Sequence, residues 1–143
     1  MKCPVCRATY RAGSQQTETE PSMRCRRCGV DLSPLIQIHD QALWHYRQAL
    51  HCLHHKQYAE AHNQIEQALA LQVQNADFYA LAGRLWALQG EFGRAIAAWQ
   101  QACQLDPNHR VAGECLQRIT TLRQLILQSN SGAFPLSPLA HDS

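Results

Sequence analysis

Four cysteines near the start of the chain have the spacing of metal ligands. They form two Cys-x-x-Cys pairs, Cys3 with Cys6 and Cys25 with Cys28, separated by residues 7–24. Each two-residue gap lets a tight turn aim both sulfurs at one ion, and two such turns complete the tetrahedral four-thiolate site that zinc prefers. Protein sulfurs would fill all four positions, so no place remains for a reacting water or substrate. The spacing therefore predicts one closed, structural zinc site.

Spacing alone leaves two other uses of these cysteines open. One is an iron site of the rubredoxin kind, and the other is thiol redox chemistry. A redox pair is expected near a βαβ pattern, which this sequence lacks. A framework of disulfides is disfavoured, because the chain has seven cysteines, an odd number, and we expect a reducing cytosolic environment.

Three arginines, Arg24, Arg26 and Arg27, surround the second cysteine pair. Arginines in such a cluster could contact the phosphates of a nucleic acid. They are explained equally well as compensation for the negative charge of a metal held by four thiolates. The formal net charge of the whole chain is only +2, so any nucleic-acid surface would be local and weak.

Other residues with reactive side chains do not form a catalytic pattern. His51 and His55 are one helical turn apart, but the glutamate of the metalloprotease helix is missing between them, and a solvated helix end explains them. Cys52, Cys103 and Cys115 lie in helical patterns and are interpreted as core or half-buried thiols. Since no phosphate loop, carboxylate pair or nucleophile elbow is found, we predict neither an enzyme nor a small-molecule substrate.

The composition of the chain changes at residue 33. Residues 1–33 contain few aliphatic side chains and cannot bury a core alone, so the metal would have to stabilise them. Ser33 and Pro34 then provide a helix start, with Ser33 as the N-cap candidate. Apolar residues that follow at steps of three and four predict one long helix ending near His55.

Sliding the sequence against itself by 34 residues reveals an internal repeat. The identical pairs are Ala42 and Ala76, Ala61 and Ala95, Gln67 and Gln101, Ala68 and Ala102, and Leu71 and Leu105. Small residues also coincide, Ala49 with Gly83, and so do aromatic ones. A period of this length predicts a repeated pair of antiparallel helices that approach closely at the small residues.

The second copy of the repeat resembles a tetratricopeptide repeat. The resemblance rests on the stretch Tyr79–Trp86 followed by Gly90, Phe92, Ala95, Trp99, Ala102 and Leu105-Asp-Pro-Asn. The first copy resembles a degenerate repeat, in which Lys56 replaces the usual turn glycine and Val73 the closing proline. Residues 1–33 look like a zinc ribbon, with strand fragments expected at 9–11 and 23–24.

These resemblances imply a mainly α fold of about five helices with a small N-terminal β zinc ribbon. The expected parts are a zinc ribbon at 1–33, a helical domain at 34–128 with repeats at 42–75 and 76–109 and a capping helix at 110–128, and a flexible tail at 129–143. No apolar run approaches the roughly 18 residues of a membrane span, and no secretion signal is found. We therefore expect a cytoplasmic protein.

The resemblance also implies where another protein would bind. In such arrays the first helix of each pair lines a concave groove, which here would present Tyr46, Leu50, Leu53, Arg84 and Leu88. A groove of leucines and one aromatic ring suits an amphipathic helix or an extended apolar peptide. The predicted function is that of a non-enzymatic adapter or assembly factor. The alternative is a nucleic-acid-associated zinc-ribbon factor that uses the arginines of the head.

Overall fold

The structure, a computed structural model, describes residues 2–9 and 23–132. In these ranges the chain forms five α-helices and no β-sheet. The helices are α1 (Ser33–His54), α2 (Tyr58–Leu71), α3 (Ala76–Leu88), α4 (Phe92–Leu105) and α5 (Arg110–Ser131). The mainly α fold is confirmed, and α5 continues to Ser131 rather than ending at 128.

The expected β ribbon is reduced to two isolated bridges in the described part of the chain. One bridge joins Lys2 to Thr9 and the other joins Arg24 to Asp31. The strand fragment expected at 9–11 lies mostly outside the described residues, and so does the segment 133–143 of the expected tail. No helix of the described ranges combines the length and the apolarity needed to cross a bilayer.

The helices pack against one another in chain order, each on the next. Alanines lie at the crossing points, and the fully buried ones include Ala42, Ala49, Ala61 and Ala68. Because an alanine keeps helix axes close, the larger Ile65, Phe78 and Leu85 fill the space between α1, α2 and α3. The predicted helix pairs with small residues at the close approaches are therefore observed.

The two helix pairs contain the same turn. Gly90, between α3 and α4, has a φ of 81°, and Lys56, its equivalent between α1 and α2, has a φ of 59°. Glycine adopts this left-handed conformation without a steric penalty, whereas lysine does not. Lys56, which replaces the turn glycine, thus keeps the turn geometry of the repeat. Its side chain makes this positive-φ conformation strained.

Gly83 and Trp99 mark a close approach between α3 and α4. The indole Nε1 of the buried Trp99 donates a hydrogen bond of 3.2 Å to the carbonyl oxygen of Ala80. A Cβ atom built on Gly83 would lie only 2.5 Å from that nitrogen. In the first helix pair the equivalent residues are Ala49 and Ile65, so a smaller core residue there leaves room for the extra methyl group.

Both ends of the helical array carry polar residues where the middle is apolar. Arg47 and His51 of α1 are exposed, whereas their equivalents in α3, Leu81 and Leu85, are buried. At the other end, Glu114 and Gln117 of α5, one period after the buried Ala80 and Gly83, are exposed, although the last turns of α5 also expose leucines. Terminal units need such a polar outer surface, because no further helix pair covers them.

Candidate metal centre and partner-binding face

The two cysteine pairs fold into matching turns. The amide of Arg7 donates to the carbonyl oxygen of Cys3 at 2.9 Å, and the amide of Gly29 donates to that of Cys25 at 2.8 Å. Both residues that close these turns have positive φ, 57° for Arg7 and 72° for Gly29. Glycine adopts this conformation without a steric penalty, and Arg7 adopts it too despite its side chain.

The matching turns bring the four sulfurs together. The Sγ atoms of Cys3 and Cys28 are 3.5 Å apart, as are those of Cys6 and Cys25, and all four lie within 4.8 Å of one another. A tetrahedral ion with sulfur bonds of about 2.3 Å places its ligands roughly 3.8 Å apart. The cluster therefore fits one four-coordinate ion, and its arrangement is that expected of a zinc ribbon.

The thiols of the cluster ionise unequally. The backbone amides of Cys28 and Arg27 lower the pKa of Cys25 to about 6. The amide of Val30 lowers the pKa of Cys28, but desolvation and the neighbouring cysteines outweigh it and raise that pKa to about 12. The backbone amide of Cys6 likewise lowers the pKa of Cys3, so the turns stabilise two thiolates, whereas a full set of four needs a cation among them.

The head is anchored on α1 by a residue that the sequence reasoning missed. Leu32 is fully buried and packs with Cys3 and Cys25, while Ile36 in the first turn of α1 packs against the same cluster. The expectation that Ser33 caps α1 is wrong, because Ser33 is already helical and the N-cap position is Leu32. Instead, the Ser33 amide and hydroxyl both donate to Asp31 Oδ1. The feature of the sequence that could have indicated this anchor is Leu32 itself, a single leucine just before the start of α1.

The arginines of the head are exposed. Arg26 and Arg27 lie within the turn of the second cysteine pair, and neither forms a salt bridge with any described residue. Arg24 lies beside Asp31, whose pKa is lowered by hydrogen bonds from Ser33 and, to a smaller extent, by the charge of Arg24. Of the three arginines, Arg24 is therefore the one whose charge acts on a described carboxylate of the head.

The residues predicted to bind a partner divide into two groups. Tyr46 stacks on the buried Phe78 with ring centroids 5.1 Å apart, and Leu53 packs against the same core. These two residues hold α1 against its neighbours. Leu50 and Leu88 expose 39% and 49% of their surface, and Arg84 is also exposed, so these three are accessible.

The 34-residue period extends the accessible set onto α5. Leu50 and Arg84 occupy equivalent positions in α1 and α3, and the next equivalent is Arg118. Leu88 is followed in the same way by Leu122, which is 58% exposed. Leu122 was missed by the sequence reasoning, although adding one period to Leu88 would have found it.

The remaining histidine and cysteine candidates behave as helix-surface and core residues. His51 and His55 are exposed, with ring centroids 4.5 Å apart. Cys52 is buried in the core, and Cys103 and Cys115 pack against the second core cluster, as predicted. Among the described residues, the four cysteines of the head form the one group able to hold a metal ion.

Comparison with known protein families identifies the second helix pair. Residues 76–109 match the family model of the tetratricopeptide repeat. This segment contains α3 and α4 and lies exactly one period after the degenerate copy. No curated protein matches the chain. The helical part is thus a tetratricopeptide-like array, a fold typical of non-enzymatic protein–protein interaction, and the head carries a cysteine cluster of the kind that binds metal.

Proposed function

We propose that this protein is a non-enzymatic adapter or assembly factor that binds a segment of another protein along the first helices of its array. A zinc ion held by Cys3, Cys6, Cys25 and Cys28 would brace the head. The observation that supports the binding role most directly is the accessible, repeat-related set of side chains on α1, α3 and α5.

The accessible set has the chemistry of an interaction face. Leu50, Leu88 and Leu122 provide apolar side chains on α1, α3 and α5, the first helix of each unit. Arg84 and Arg118 lie between these leucines in the sequence and are also exposed. The buried centre of a protein interface is more apolar than the rest of the surface, and arginine is enriched in interfaces. A partner segment with an apolar stripe, either a helix or an extended peptide, would match this face.

The proposed zinc ion has a structural role. Four thiolates from two tight turns form a closed coordination shell, which favours zinc and leaves no open position for chemistry. Its binding energy would replace the core that the head lacks, since the buried head cluster consists of Cys3, Cys25 and Leu32.

A charge substitution at two accessible positions tests the partner-binding role. Affinity purification of the tagged chain and mass spectrometry would identify a partner, and binding of that purified partner would then be measured. We expect Leu50→Glu/Leu88→Glu to weaken binding at least tenfold, because it places two charges on the apolar face. The matched control is Leu127→Glu, at an exposed leucine of α5 outside the proposed face. Equal binding by the double variant and wild type would eliminate this face.

The exposed Arg26 and Arg27 support the second candidate function, association with a nucleic acid. Phosphate contacts predict retention on RNA or DNA that weakens as salt rises and is lost in Arg26→Glu/Arg27→Glu. Arg47→Glu, at an exposed arginine of α1, is the control for a general change of charge. Retention that does not depend on salt, or that both variants lose equally, would contradict this function.

A further inference from the structure

The last turns of α5 extend beyond the rest of the array. Leu122 is one period after Leu88, the last residue of α3, and α5 continues from there to Ser131. Every residue from Thr120 to Gly132 is exposed. Most of the stability of a helix in a protein comes from the packing of its apolar side. Within the described part of the chain, nothing supplies that packing to these turns.

One side of this extension is apolar. Leu122, Leu125 and Ile126, here called the α5 stripe, are three and four residues apart and therefore lie on one side of the helix. They expose 58%, 56% and 60% of their surface. Ile119, one turn earlier on the same side, packs against the second core cluster, so the stripe continues directly from the core. Arg123 is the one charged residue between Ile119 and the end of the helix, so the stripe matches an apolar, uncharged occupant.

The size of the α5 stripe favours an occupant from the same chain over a second copy. Three aliphatic side chains at this exposure form an apolar patch of roughly 300 Å², the size of the largest patch on a typical monomer. A dimer interface of standard size buries about 800 Å² on each partner, so two paired stripes would fall well short of it. A short tethered segment needs no such area, because its local concentration is on the order of millimolar.

A segment of suitable composition follows α5 directly. Residues 133–143 include Leu136 and Leu139 and contain no lysine, arginine or glutamate. Pro135 and Pro138 prevent a continuation of the helix and favour an extended, polyproline-like course. Because that conformation has three residues per turn, the two leucines would lie on the same side of the segment.

The segment is long enough to reach the whole stripe. Leu122 lies ten residues before Gly132, which corresponds to about 15 Å along the axis of α5. Residues 133–139 in an extended course span about 22 Å at 3.1 Å per residue. The difference is sufficient for the chain to reverse its direction after α5 and run back along the helix.

We propose that residues 133–143 fold back along α5 and cover the α5 stripe with Leu136 and Leu139. Leu139, farther along the segment, would contact Leu122, and Leu136 would contact the two stripe residues nearer the end of the helix. This docking needs no other protein and stands apart from the proposed function. Leu122 also belongs to the proposed partner-binding face, so a docked segment would limit access to the α5 end of that face. This consequence alone rests on the proposed function.

Hydrogen exchange of the full chain without a partner, resolved by nuclear magnetic resonance at amides 123–131, tests the docking. A covered helix exchanges slowly, whereas turns without packing exchange rapidly. We expect Leu136→Asp/Leu139→Asp to accelerate exchange at these amides at least tenfold, because it places two charges against the apolar stripe. The matched control, Ser137→Asp/Ala140→Asp, adds the same charges at the same spacing on another side of the segment and should exchange as wild type does.

A second measurement identifies the contact itself. Nuclear Overhauser effects should connect the methyl groups of Leu139 with those of Leu122 in the wild-type chain. In an equal mixture of two differently labelled copies, no such effect should connect one copy with the other, because the contact lies within one chain.

Four results would overturn the proposal. Rapid exchange at amides 123–131 in the wild type would show that the segment leaves the stripe open to a partner protein. Exchange that becomes faster on dilution would indicate a second copy as the occupant. Slow exchange unchanged by Leu136→Asp/Leu139→Asp would exclude the two leucines, and equal acceleration in both double variants would show an effect of charge alone. None of these results bears on binding at α1 and α3, so failure of the docking is distinguishable from failure of the proposed function.

Discussion

Gly83 and Trp99 show how one side chain restricts another across a helix interface. The indole fills the space above the glycine and hydrogen-bonds to the backbone of the same turn, at Ala80. Where the repeat has isoleucine in place of the tryptophan, alanine takes the place of the glycine. The two positions therefore change together between the repeats, and the tryptophan is compatible only with the smallest partner.

Gly83→Ala should destabilise the protein by about 1–3 kcal/mol, because the added methyl group must displace a packed indole. Urea unfolding followed by circular dichroism would measure the change. The control is Gly113→Ala in α5, where nothing lies within 4 Å of the added Cβ atom. That substitution should instead stabilise the protein by about 0.5–1 kcal/mol, the ordinary effect of alanine for glycine in a helix. A neutral Gly83→Ala would contradict the close approach.

His62 should make stability depend on pH in a defined direction. Burial lowers its folded-state pKa below the ordinary 6.5, Arg94 lowers it further, and Glu66 opposes both. The unfolded chain then binds more protons, so the contribution of neutral His62 is complete above pH 6.5 and is lost as pH falls toward the folded pKa. Melting temperatures from pH 8 to 5 should decline more steeply for wild type than for His62→Gln. Parallel profiles would exclude this effect.

The turn at Lys56 shows how an element tolerates an unfavourable residue. Helix packing on either side holds the turn in its left-handed form, and the same turn between α3 and α4 uses Gly90. The strain is therefore local and is compensated by the alanine-rich contact between α1 and α2.

Lys56→Gly should stabilise the protein by about 1 kcal/mol, since glycine adopts positive φ without the steric cost of a side chain. Thermal unfolding would show a higher melting temperature. Gln57→Gly, one position later where φ is −87°, is the matched control and should destabilise or leave the stability unchanged. A Lys56→Gly protein that is less stable than wild type would show that the lysine side chain has a compensating contact.

An element could be predicted from the sequence when the pattern that indicates it depends on nearby or regularly spaced residues. The 34-residue period and the small residues identified both helix pairs, because helix contacts repeat at fixed intervals. The cysteine spacing identified the metal cluster, because each turn is determined by four residues. The packing of the half-buried Tyr46 and Leu53 against the core could not be predicted in this way, since the exposure of a residue on the inner face depends on which neighbour in α3 reaches it.

At the scale of the whole molecule, the head and the array have separate cores. The buried residues of the head are Cys3, Cys25 and Leu32. Neither of the two buried clusters of the helical array includes one of the four cysteines of the proposed metal site. The connection between them is the first turn of α1, through Ile36. If the proposed zinc ion is bound, its loss should therefore unfold the head without unfolding the helices.

Removal of the proposed zinc ion from the purified protein with a chelator should leave most of the helical circular dichroism signal intact. Hydrogen exchange should accelerate at the amides of Leu32 and Ile36, which donate to the carbonyl oxygens of Met23 and Leu32, because both residues lose their packing partners. Cys25→Ser should bind less than one equivalent of zinc and behave in the same way, while Cys103→Ser, outside the cluster, should retain the ion. Complete loss of helicity on chelation would show that the two cores are coupled.

The long first helix has a geometric consequence. Ile36 contacts the head in its first turn and Leu53 lies in its last, and at 1.5 Å per residue these positions are about 25 Å apart along one continuous rod. If one molecule bound the cysteine-bearing end and another bound near the far end of that rod, the helix would keep them at a set separation. The protein would then act as a spacer of fixed length.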